Sequence, residues 1–370
     1  MEFKLNTKDF EKVLSQLIPV VPTSTPLYSA EHFLLIVRDN LLTIYATDLN
    51  ISYHSTIPVI SPDEISVAVP AKLLYDTVRN LPDSDIKITV EDSGHKLTIH
   101  TDTGKFVLTY LDASEFPKFP HFDPVVNFTI NGKRLKKALE FTEVAYAKDE
   151  QRLAMTGVLF DIKPDKIVFV STDGHKLVKY TCTDIATEID TKIIIPGKSV
   201  NILSKLLDDK DVQVAVGNQM VKFEINGNVF TTRLIDDTYP NYEGVIPLEN
   251  DYVLKVDRAT FLKILKRVSF YTSSKSRQIK LQIKEDTLTI TAENIEVGSQ
   301  AQEKMLCDYT GQELVIAFKV DLLTDLVGVL ETEEIVMRLS NALRPCIFEP
   351  DVQEENQDLT MLVMPMRINV

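Results

Sequence analysis

FKLNTKDFEKVLSQL (residues 3–17) begins a pattern that recurs twice along the chain. The same plan returns without gaps as FTINGKRLKKALEFT (residues 128–142) and LKVDRATFLKILKRV (residues 254–268). Each copy starts as a short strand with alternating polarity and continues with apolar residues at helical spacing. A recurrence about every 125 residues predicts that the chain is built from three repeats.

A second family of segments lies half a period later, so each repeat is itself a duplicate. Its members are VPAKLLYDTVRNLPDSDIKITV (from Val69), IPGKSVNILSKLLDDKDVQVAV (from Ile195) and FKVDLLTDLVGVLETEEIVMRL (from Phe318). The six helix starts predicted from both families are Thr7, Pro70, Asn131, Pro196, Asp257 and Lys319, which follow one another roughly every 61 to 65 residues. Residues suited to N-caps are Asn6, Asn131 and Asp257. The six predicted helices cover residues 7–18, 70–80, 131–146, 196–207, 257–268 and 319–330.

Between the helices lie β-branched segments of alternating polarity, punctuated by Asn, Asp and Gly, as in KIVFVSTDGHKLVKY. Two similar linkers, YLDASEFPKFP and LIDDTYPNY, separate the repeats. We expect an α+β chain of three domains, residues 1–122, 123–247 and 248–370, each with two helices and antiparallel sheets.

Composition indicates an ordinary globular protein: 44% of the 370 residues are apolar and 25% are charged. Three distant cysteines and a charged N-terminus without an apolar run predict a cytoplasmic protein with reduced thiols. A net charge of −14 argues against nucleic-acid binding unless the basic residues are segregated.

The six predicted helices carry a net charge of +7 and the rest of the chain −21, so basic residues are enriched on the helices and acidic ones outside them. A face made by these helices could bind DNA phosphates, without reading sequence. The alternative is that Lys and Arg simply occur on solvated helix faces. The predicted DNA-binding residues are Lys72, Arg79, Arg134, Lys137, Lys198, Lys205, Lys263, Lys266 and Arg267.

STDGHKLVKY (residues 171–180) places Asp173 beside His175 and resembles an acid–base site. A hydrolase built on this pair needs a nucleophile or a metal partner, and the six histidines show no metal-ligand spacing. We therefore predict no catalytic residue, metal or cofactor. TDLN (47–50) and AENI (292–295) occupy the corresponding position in the other repeats, so Asp173 is predicted to bond nearby backbone amides in a turn.

Together with the three repeats, TDGHKL (172–177), TYPNY (238–242) and VMPMRI (363–368) resemble the bacterial sliding-clamp family, the β subunits of DNA polymerase III. The resemblance runs over the whole chain. It implies a head-to-tail homodimer that closes into a six-domain ring around duplex DNA. It also implies a non-catalytic processivity factor whose partners are the polymerase catalytic subunit, the clamp loader, other polymerases and repair proteins. A nucleic-acid scaffold that does not enclose DNA is the alternative.

The resemblance further implies a cleft between the second and third domains that binds partner peptides. Its implied lining is Met155, Thr172, Gly174, His175, Lys176, Leu177, Pro240, Val245, Leu343, Pro345, Leu362, Val363, Met364, Pro365, Met366 and Arg367. A methionine-rich apolar wall suits a groove that accepts several partners. Departures from the family pattern are Lys176 for Arg, Gly244 at a rim position that is often basic, Arg344–Pro345 for small residues, Ser24 for a DNA-contacting Arg, and the extension Asn369–Val370.

For the contact between two copies, the resemblance implies Phe106 in the first domain and Phe270 with Tyr271 in the third. The alternative for these aromatic residues is an ordinary place in the core.

Overall fold

A computed structural model gives the fold, and the residues it describes are 1–120, 122–185, 187 and 189–368. The predicted extension Asn369–Val370, like His121, lies outside the described residues. The chain folds into two compact units: residues 1–136 with 201–234, and residues 137–200 with 235–370.

One structural motif is repeated along the chain: a strand, a helix and three further strands. Within the described residues the helices are α1 (Thr7–Leu17), α2 (Ala71–Val78), α3 (Gly132–Thr142), α4 (Gly197–Leu206), α5 (Arg258–Ser269) and α6 (Val320–Val329). The motif thus occurs six times, twice in each predicted repeat. None of these helices is long and apolar enough to cross a membrane.

The first unit contains two sheets, in the orders β1-β6-β7-β8 and β10-β15-β16-β17-β4-β3-β2-β5-β9. The strands from the first repeat are β1 (Glu2–Asn6), β2 (His32–Arg38), β3 (Leu41–Thr47), β4 (Ile51–Pro58), β5 (Ile65–Pro70), β6 (Asp85–Glu91), β7 (Lys96–His100), β8 (Lys105–Thr109) and β9 (Leu111–Asp112). Those from the second repeat are β10 (Val126–Asn131), β15 (Asp211–Val216), β16 (Met220–Ile225) and β17 (Asn228–Arg233). Pairing of β17 with β4 joins the two repeats edge to edge.

The second unit is built in the same way, with the sheets β14-β11-β12-β13-β26-β25-β24-β18-β22 and β21-β20-β19-β23. Its strands from the second repeat are β11 (Gly157–Lys163), β12 (Lys166–Thr172), β13 (Lys176–Cys182) and β14 (Thr191–Pro196). Those from the third are β18 (Tyr252–Asp257), β19 (Gln278–Lys284), β20 (Thr287–Asn294), β21 (Ser299–Leu306), β22 (Asp308–Thr310), β23 (Leu314–Lys319), β24 (Glu334–Leu339), β25 (Cys346–Pro350) and β26 (Gln357–Val363). Here β13 pairs with β26, and all pairing between the described strands is antiparallel, as predicted.

The predicted N-caps are confirmed. The side-chain oxygens of Asn6, Asn131 and Asp257 accept from amides of the first helical turn at 2.9, 3.1 and 2.7 Å. Each satisfies a helix donor that otherwise has no partner, which stabilises the helix by about 1 kcal/mol.

The prediction that the third helix reaches residue 146 was wrong, since α3 ends at Thr142. The Thr142 carbonyl accepts from the Ser171 hydroxyl at 2.6 Å and from the Ala145 amide in a tight turn at 3.2 Å. These contacts draw the chain away from the helix axis. The sequence did not predict this end because Ser171 lies on a distant strand, and a contact of that kind leaves no local signal.

The helices bury one face each against the sheets. In α5 the buried residues are Phe261, Ile264, Leu265 and Val268, spaced by three or four positions as in an amphipathic helix. Burying each such side chain contributes roughly 1.5–3 kcal/mol, so this packing rather than helix propensity fixes the position of the helix.

Candidate functional site

The turn between β12 and β13 is held by its own Thr and Asp side chains. The Thr172 hydroxyl donates to the Lys176 carbonyl at 2.8 Å and accepts from the Gly174 amide at 3.1 Å. Asp173 Oδ1 accepts from the amides of His175 and Lys176 at 2.8 and 2.9 Å. The prediction that Asp173 serves turn formation is therefore confirmed, and this oxygen is already engaged by two backbone donors.

The first repeat contains the same turn between β3 and β4. The Thr47 hydroxyl donates to the Ile51 carbonyl at 2.8 Å, and Asp48 Oδ1 accepts from the amides of Asn50 and Ile51 at 3.0 and 2.7 Å. Thr–Asp is thus a structural element common to both repeats. The third repeat differs, because β20 continues through Asn294 and its turn occupies residues 295–298.

Gly174 is required by the backbone and by its neighbours. Its φ of +86° lies in the left-handed region. A Cβ at this position would lie 2.9 Å from Arg152 Nη1 and 3.7 Å from Met155 Cε. Arg152 therefore lies over the turn. Nothing in the sequence indicated this residue, because it lies in an irregular segment with no periodic pattern.

The C-terminal segment after β26 connects this turn with the third repeat. Leu177 is the cross-strand partner of Leu362, and Lys176 that of Val363. The Met364 amide donates to the His175 carbonyl at 2.8 Å, and the Met366 amide donates to the Ala317 carbonyl at 2.7 Å.

Pro365, which has no amide hydrogen, stands between the two bonded methionines. The strand pairing ends at Val363, and an isolated bridge to Ala317 follows at Met366. Gln278 Nε2 donates to the carbonyl of Arg367 at 3.1 Å and holds the end of the segment.

An apolar cluster lies beneath this junction. It joins Leu177 and Leu362 to Tyr242, with Tyr239 and Ile246 packed against it half-buried. The Tyr242 hydroxyl donates to Asp161 Oδ2 at 2.9 Å.

Asp161 is 1% exposed, and Lys192 Nζ lies 3.3 Å from the same oxygen. Burial and the Asp161 carboxylate raise the pKa of Tyr242, so the phenol remains a hydrogen-bond donor. A buried carboxylate is thus kept in place by a tyrosine of the cluster and by a surface lysine.

The residues implied for a peptide cleft divide into two groups by exposure. Those that are exposed are Gly174, His175, Pro240, Val245, Leu343, Met364 and Arg367. Those that are buried or half-buried are Met155, Thr172, Lys176, Leu177, Pro345, Leu362, Val363, Pro365 and Met366. We call the exposed residues Gly174, His175 and Met364, with the buried pair Leu177–Leu362 beneath them, the junction surface.

Lys176 does not present its charge on this surface. Its side chain is 7% exposed, and its ammonium group pairs with the Asp325 carboxylate of α6. The Asp325 side chain is 47% exposed, so the pair is buried on the lysine side alone. The positive charge over the turn comes instead from Arg152.

A separate cleft of about 200 Å³ lies beside Tyr180, which points to the face of β13 opposite Leu177. Its lining includes Phe141 and Lys137 of α3 and Glu354 of the third repeat. The Lys137 ammonium pairs with the Glu354 carboxylate. The Lys137 ammonium therefore has an intramolecular partner in Glu354, and the predicted DNA contact competes with this ion pair.

The other predicted DNA-binding residues lie on the helices or at their ends, and their side chains reach solvent to different degrees. Exposed ones are Lys72, Arg79, Lys198, Lys205, Lys263, Lys266 and Arg267, and Arg134 is half-buried. Arg79 lies 3.2 Å from Asp76, and Arg267 forms a two-pronged ion pair with Glu303 of β21, with Nε at 2.8 Å.

The three aromatic residues implied in assembly are solvent-exposed. Phe106 is 41% exposed, Phe270 83% and Tyr271 43%, so the alternative that they are core residues was wrong. Phe106 lies on β8, the edge strand of one four-stranded sheet, and β21 is the edge strand of the other. Unpaired edges with apolar side chains are suited to contact with another chain.

Asp173 and His175 serve different parts of the turn. His175 is exposed, and Asp173 Oδ1 is bonded to the turn amides. Across the described residues, no group of three or more His, Cys, Asp and Glu side chains is placed to hold a metal ion.

Comparison with known proteins identifies the family. Residues 1–120 match the DNA polymerase III beta subunit N-terminal domain, residues 129–241 its central domain and residues 243–367 its C-terminal domain. The beta sliding clamp of Pseudomonas putida is 28% identical over the full length of both chains.

Solved structures agree with these matches. The sliding clamps of Pseudomonas aeruginosa and Bartonella birtlesii, each bound to griselimycin, both give a TM-score of 0.93. They are 28% and 30% identical to this chain, with all of both chains covered. The chain therefore belongs to the family of DNA polymerase III beta subunits, the beta sliding clamps.

Proposed function

We propose that this chain is a sliding clamp, a processivity factor that encloses duplex DNA and tethers a replicative polymerase and other DNA enzymes to it. The observation that carries the proposal is the match of all three beta-subunit domains along the chain. The proposed domain limits are residues 1–122, 123–247 and 248–370. The protein acts in the cytoplasm without a catalytic activity of its own.

Duplex DNA is bound through phosphates by side chains of the helices. Support comes from exposed lysines on α2, α4 and α5 in a chain whose net charge is −14. A mostly acidic surface repels DNA, so the DNA backbone is attracted to the cationic helices. The contacts carry no sequence information, as sliding requires.

Partner peptides bind at the junction surface. An apolar anchor of the peptide packs over the Leu177–Leu362 pair, and the flexible side chain of Met364 adapts to its shape. Support comes from the hydrogen bond that the Met364 amide of the C-terminal segment donates to the His175 carbonyl of the turn. The polymerase catalytic subunit, the clamp loader and repair proteins reach the clamp through such peptides.

Two copies close head to tail, with β8 of one copy beside β21 of the other. The exposure of Phe106, Phe270 and Tyr271 and the two unpaired sheet edges support this arrangement. An interface of this kind buries apolar side chains that are costly to leave in water.

The test combines native mass with retention on DNA. The protein should have twice the 41.8 kDa mass of one chain. Loaded onto nicked circular DNA, it should stay bound, and it should be lost when a restriction enzyme makes the same molecule linear. Equal loss from circular and linear DNA would favour the scaffold that does not enclose DNA, and a stable monomer would contradict the ring.

A further inference from the structure

Arg277 connects the end of α5 to the start of α6. Its Nε and Nη2 donate to the two carboxylate oxygens of Asp321, in the first turn of α6, at 3.0 and 2.7 Å. This two-pronged geometry is specific to arginine, because a lysine ammonium cannot reproduce the planar fork. The hydrogen bonds from Arg277 hold the pKa of Asp321 below its usual value, so the carboxylate is ionised at neutral pH.

The remaining arm of the guanidinium group binds the chain that follows α5. Nη1 donates to the Ser269 carbonyl at 2.9 Å and to the Thr272 hydroxyl at 3.0 Å. Ser269 is the last residue of α5, whose terminal carbonyls lack partners within the helix. Arg277 thus shares the Ser269 carbonyl with the Thr272 hydroxyl, which donates to it at 2.7 Å. It also carries positive charge to the negative end of the helix dipole.

The backbone of Arg277 is fixed as well. Its φ is +50°, a left-handed conformation that is unfavourable for a residue with a side chain. Its amide donates to the Ser273 carbonyl at 2.9 Å, and its carbonyl accepts from the Val320 amide at 2.8 Å. The surrounding hydrogen bonds offset this strain, so the loop from 270 to 277 is closed at both ends.

Two apolar side chains at the start of this loop face solvent. Phe270 and Tyr271 follow α5 directly, and they are 83% and 43% exposed. Backbone bonds between residues three apart, such as that from the Tyr271 amide to the Val268 carbonyl at 3.0 Å, fold the chain into a tight turn directly after the helix. Two adjacent exposed aromatic side chains form a small apolar patch, and such patches are typical of surfaces that another chain covers.

We infer that Arg277, through its bonds to Asp321, Ser269 and Thr272, is a positioning residue for assembly, which holds Phe270 and Tyr271 in the conformation that a second copy of this chain binds. The inference rests on the proposed function, in which that second copy covers these two residues. Arg277 itself acts through the loop and contributes no apolar contact. Holding these two side chains in place beforehand matters because every side chain that becomes ordered on association loses conformational entropy, and this loss lowers the affinity.

The test measures the dimer dissociation constant by mass photometry at nanomolar concentrations. Arg277→Ala should raise this constant about tenfold, the effect expected when two interfacial side chains must be ordered on binding. Arg277→Lys should raise the dissociation constant as well, because lysine cannot make the two-pronged contact. Arg338→Ala is the matched control, because Arg338 makes a similar ion pair with Glu349 at 2.8 Å on β24 and β25, and it should leave the constant within twofold.

A double-mutant cycle separates positioning from general destabilisation. If Arg277 positions Phe270, then Phe270→Ala should weaken the dimer much less in the Arg277→Ala background than in the unsubstituted protein. In the Arg338→Ala background, the effect of Phe270→Ala should be undiminished. Thermal unfolding of each variant verifies folding, and Asp321→Asn, which keeps the side-chain size, should weaken the dimer in the same direction.

Additive effects of Arg277→Ala and Phe270→Ala would overturn the inference, as would an unchanged dissociation constant in folded Arg277→Ala and Asp321→Asn. These outcomes leave the proposed function intact as long as the unsubstituted protein is a dimer. A monomeric unsubstituted protein would overturn the proposed ring together with this inference.

Discussion

The main-chain amide of Met364 donates to the main-chain carbonyl of His175 at 2.8 Å. This bond attaches the end of the third repeat to the turn of the second, next to the Lys176–Val363 pair that follows Leu177–Leu362. Because both groups belong to the backbone, the attachment does not depend on the side chains of His175 and Met364. Those side chains remain exposed and available to a partner.

Deletion of residues 365–370 should abolish binding of a polymerase-derived peptide while leaving the dimer intact. The deletion removes the bond from the Met366 amide to the Ala317 carbonyl, so the segment carrying Met364 loses its second attachment. Fluorescence anisotropy with a labelled peptide measures affinity, and native mass measures assembly. Removing only residues 369–370 is the control, and peptide binding that survives the longer deletion would show that the junction surface is the wrong site.

Gly174→Ala should lower both stability and peptide affinity. A non-glycine residue at a φ of +86° costs about 1 kcal/mol, and the added Cβ would lie 2.9 Å from Arg152 Nη1 and displace that side chain. Gly227→Ala is a matched control, since Gly227 has a φ of +79° and open space around it. Urea unfolding should give similar losses for both variants, whereas only Gly174→Ala should weaken the peptide. Equal peptide affinities would mean that Arg152 has no part in binding.

Tyr242→Phe should destabilise the second unit by about 1–3 kcal/mol, because the buried Asp161 carboxylate then loses the hydrogen bond that the Tyr242 hydroxyl donates to it. The apolar cluster under the junction surface should loosen with it, so peptide affinity should fall too. Tyr53→Phe is the comparison, since the Tyr53 hydroxyl bonds Gln16 at 3.3 Å and no buried charge depends on it. If urea unfolding shows that the two variants lose the same free energy of unfolding, the Asp161–Tyr242 pair has no special role.

The repeat and its helices could be predicted from the sequence because their signals are local. Asn6 and Asp257 cap helices, and the apolar spacing of α5 is visible within a dozen residues. Which strands join neighbouring repeats could not be predicted, since β13 and β26 lie far apart in the chain and their pairing leaves no short-range pattern. The burial of Lys176 against Asp325 depends on that same distant pairing.

The two matching turns show that the Thr–Asp motif by itself does not mark the junction surface. In the first unit, Ser52 and Thr231 occupy the cross-strand positions that Leu177 and Leu362 occupy in the second. The turn is the same, but the pair beside it is polar and offers no apolar anchor site. The difference lies in one residue on each of two distant strands, so it becomes visible only when the pairing is known.

Replacing Lys198 and Lys205 of α4 with Glu should shorten the lifetime of the clamp on nicked circular DNA, and more strongly at low salt. Both side chains are exposed, and removing one lysine–phosphate interaction should reduce the slope of log affinity against log salt by roughly 0.9. Lys222→Glu is the control, because Lys222 lies on strand β16 rather than on a helix; it pairs with Glu224 at 2.9 Å. Lifetimes are read from fluorescence of labelled clamp on immobilised circles across a salt series. If the Lys222 variant leaves DNA as fast as the Lys198 and Lys205 variant, overall charge rather than the helix surface holds the DNA.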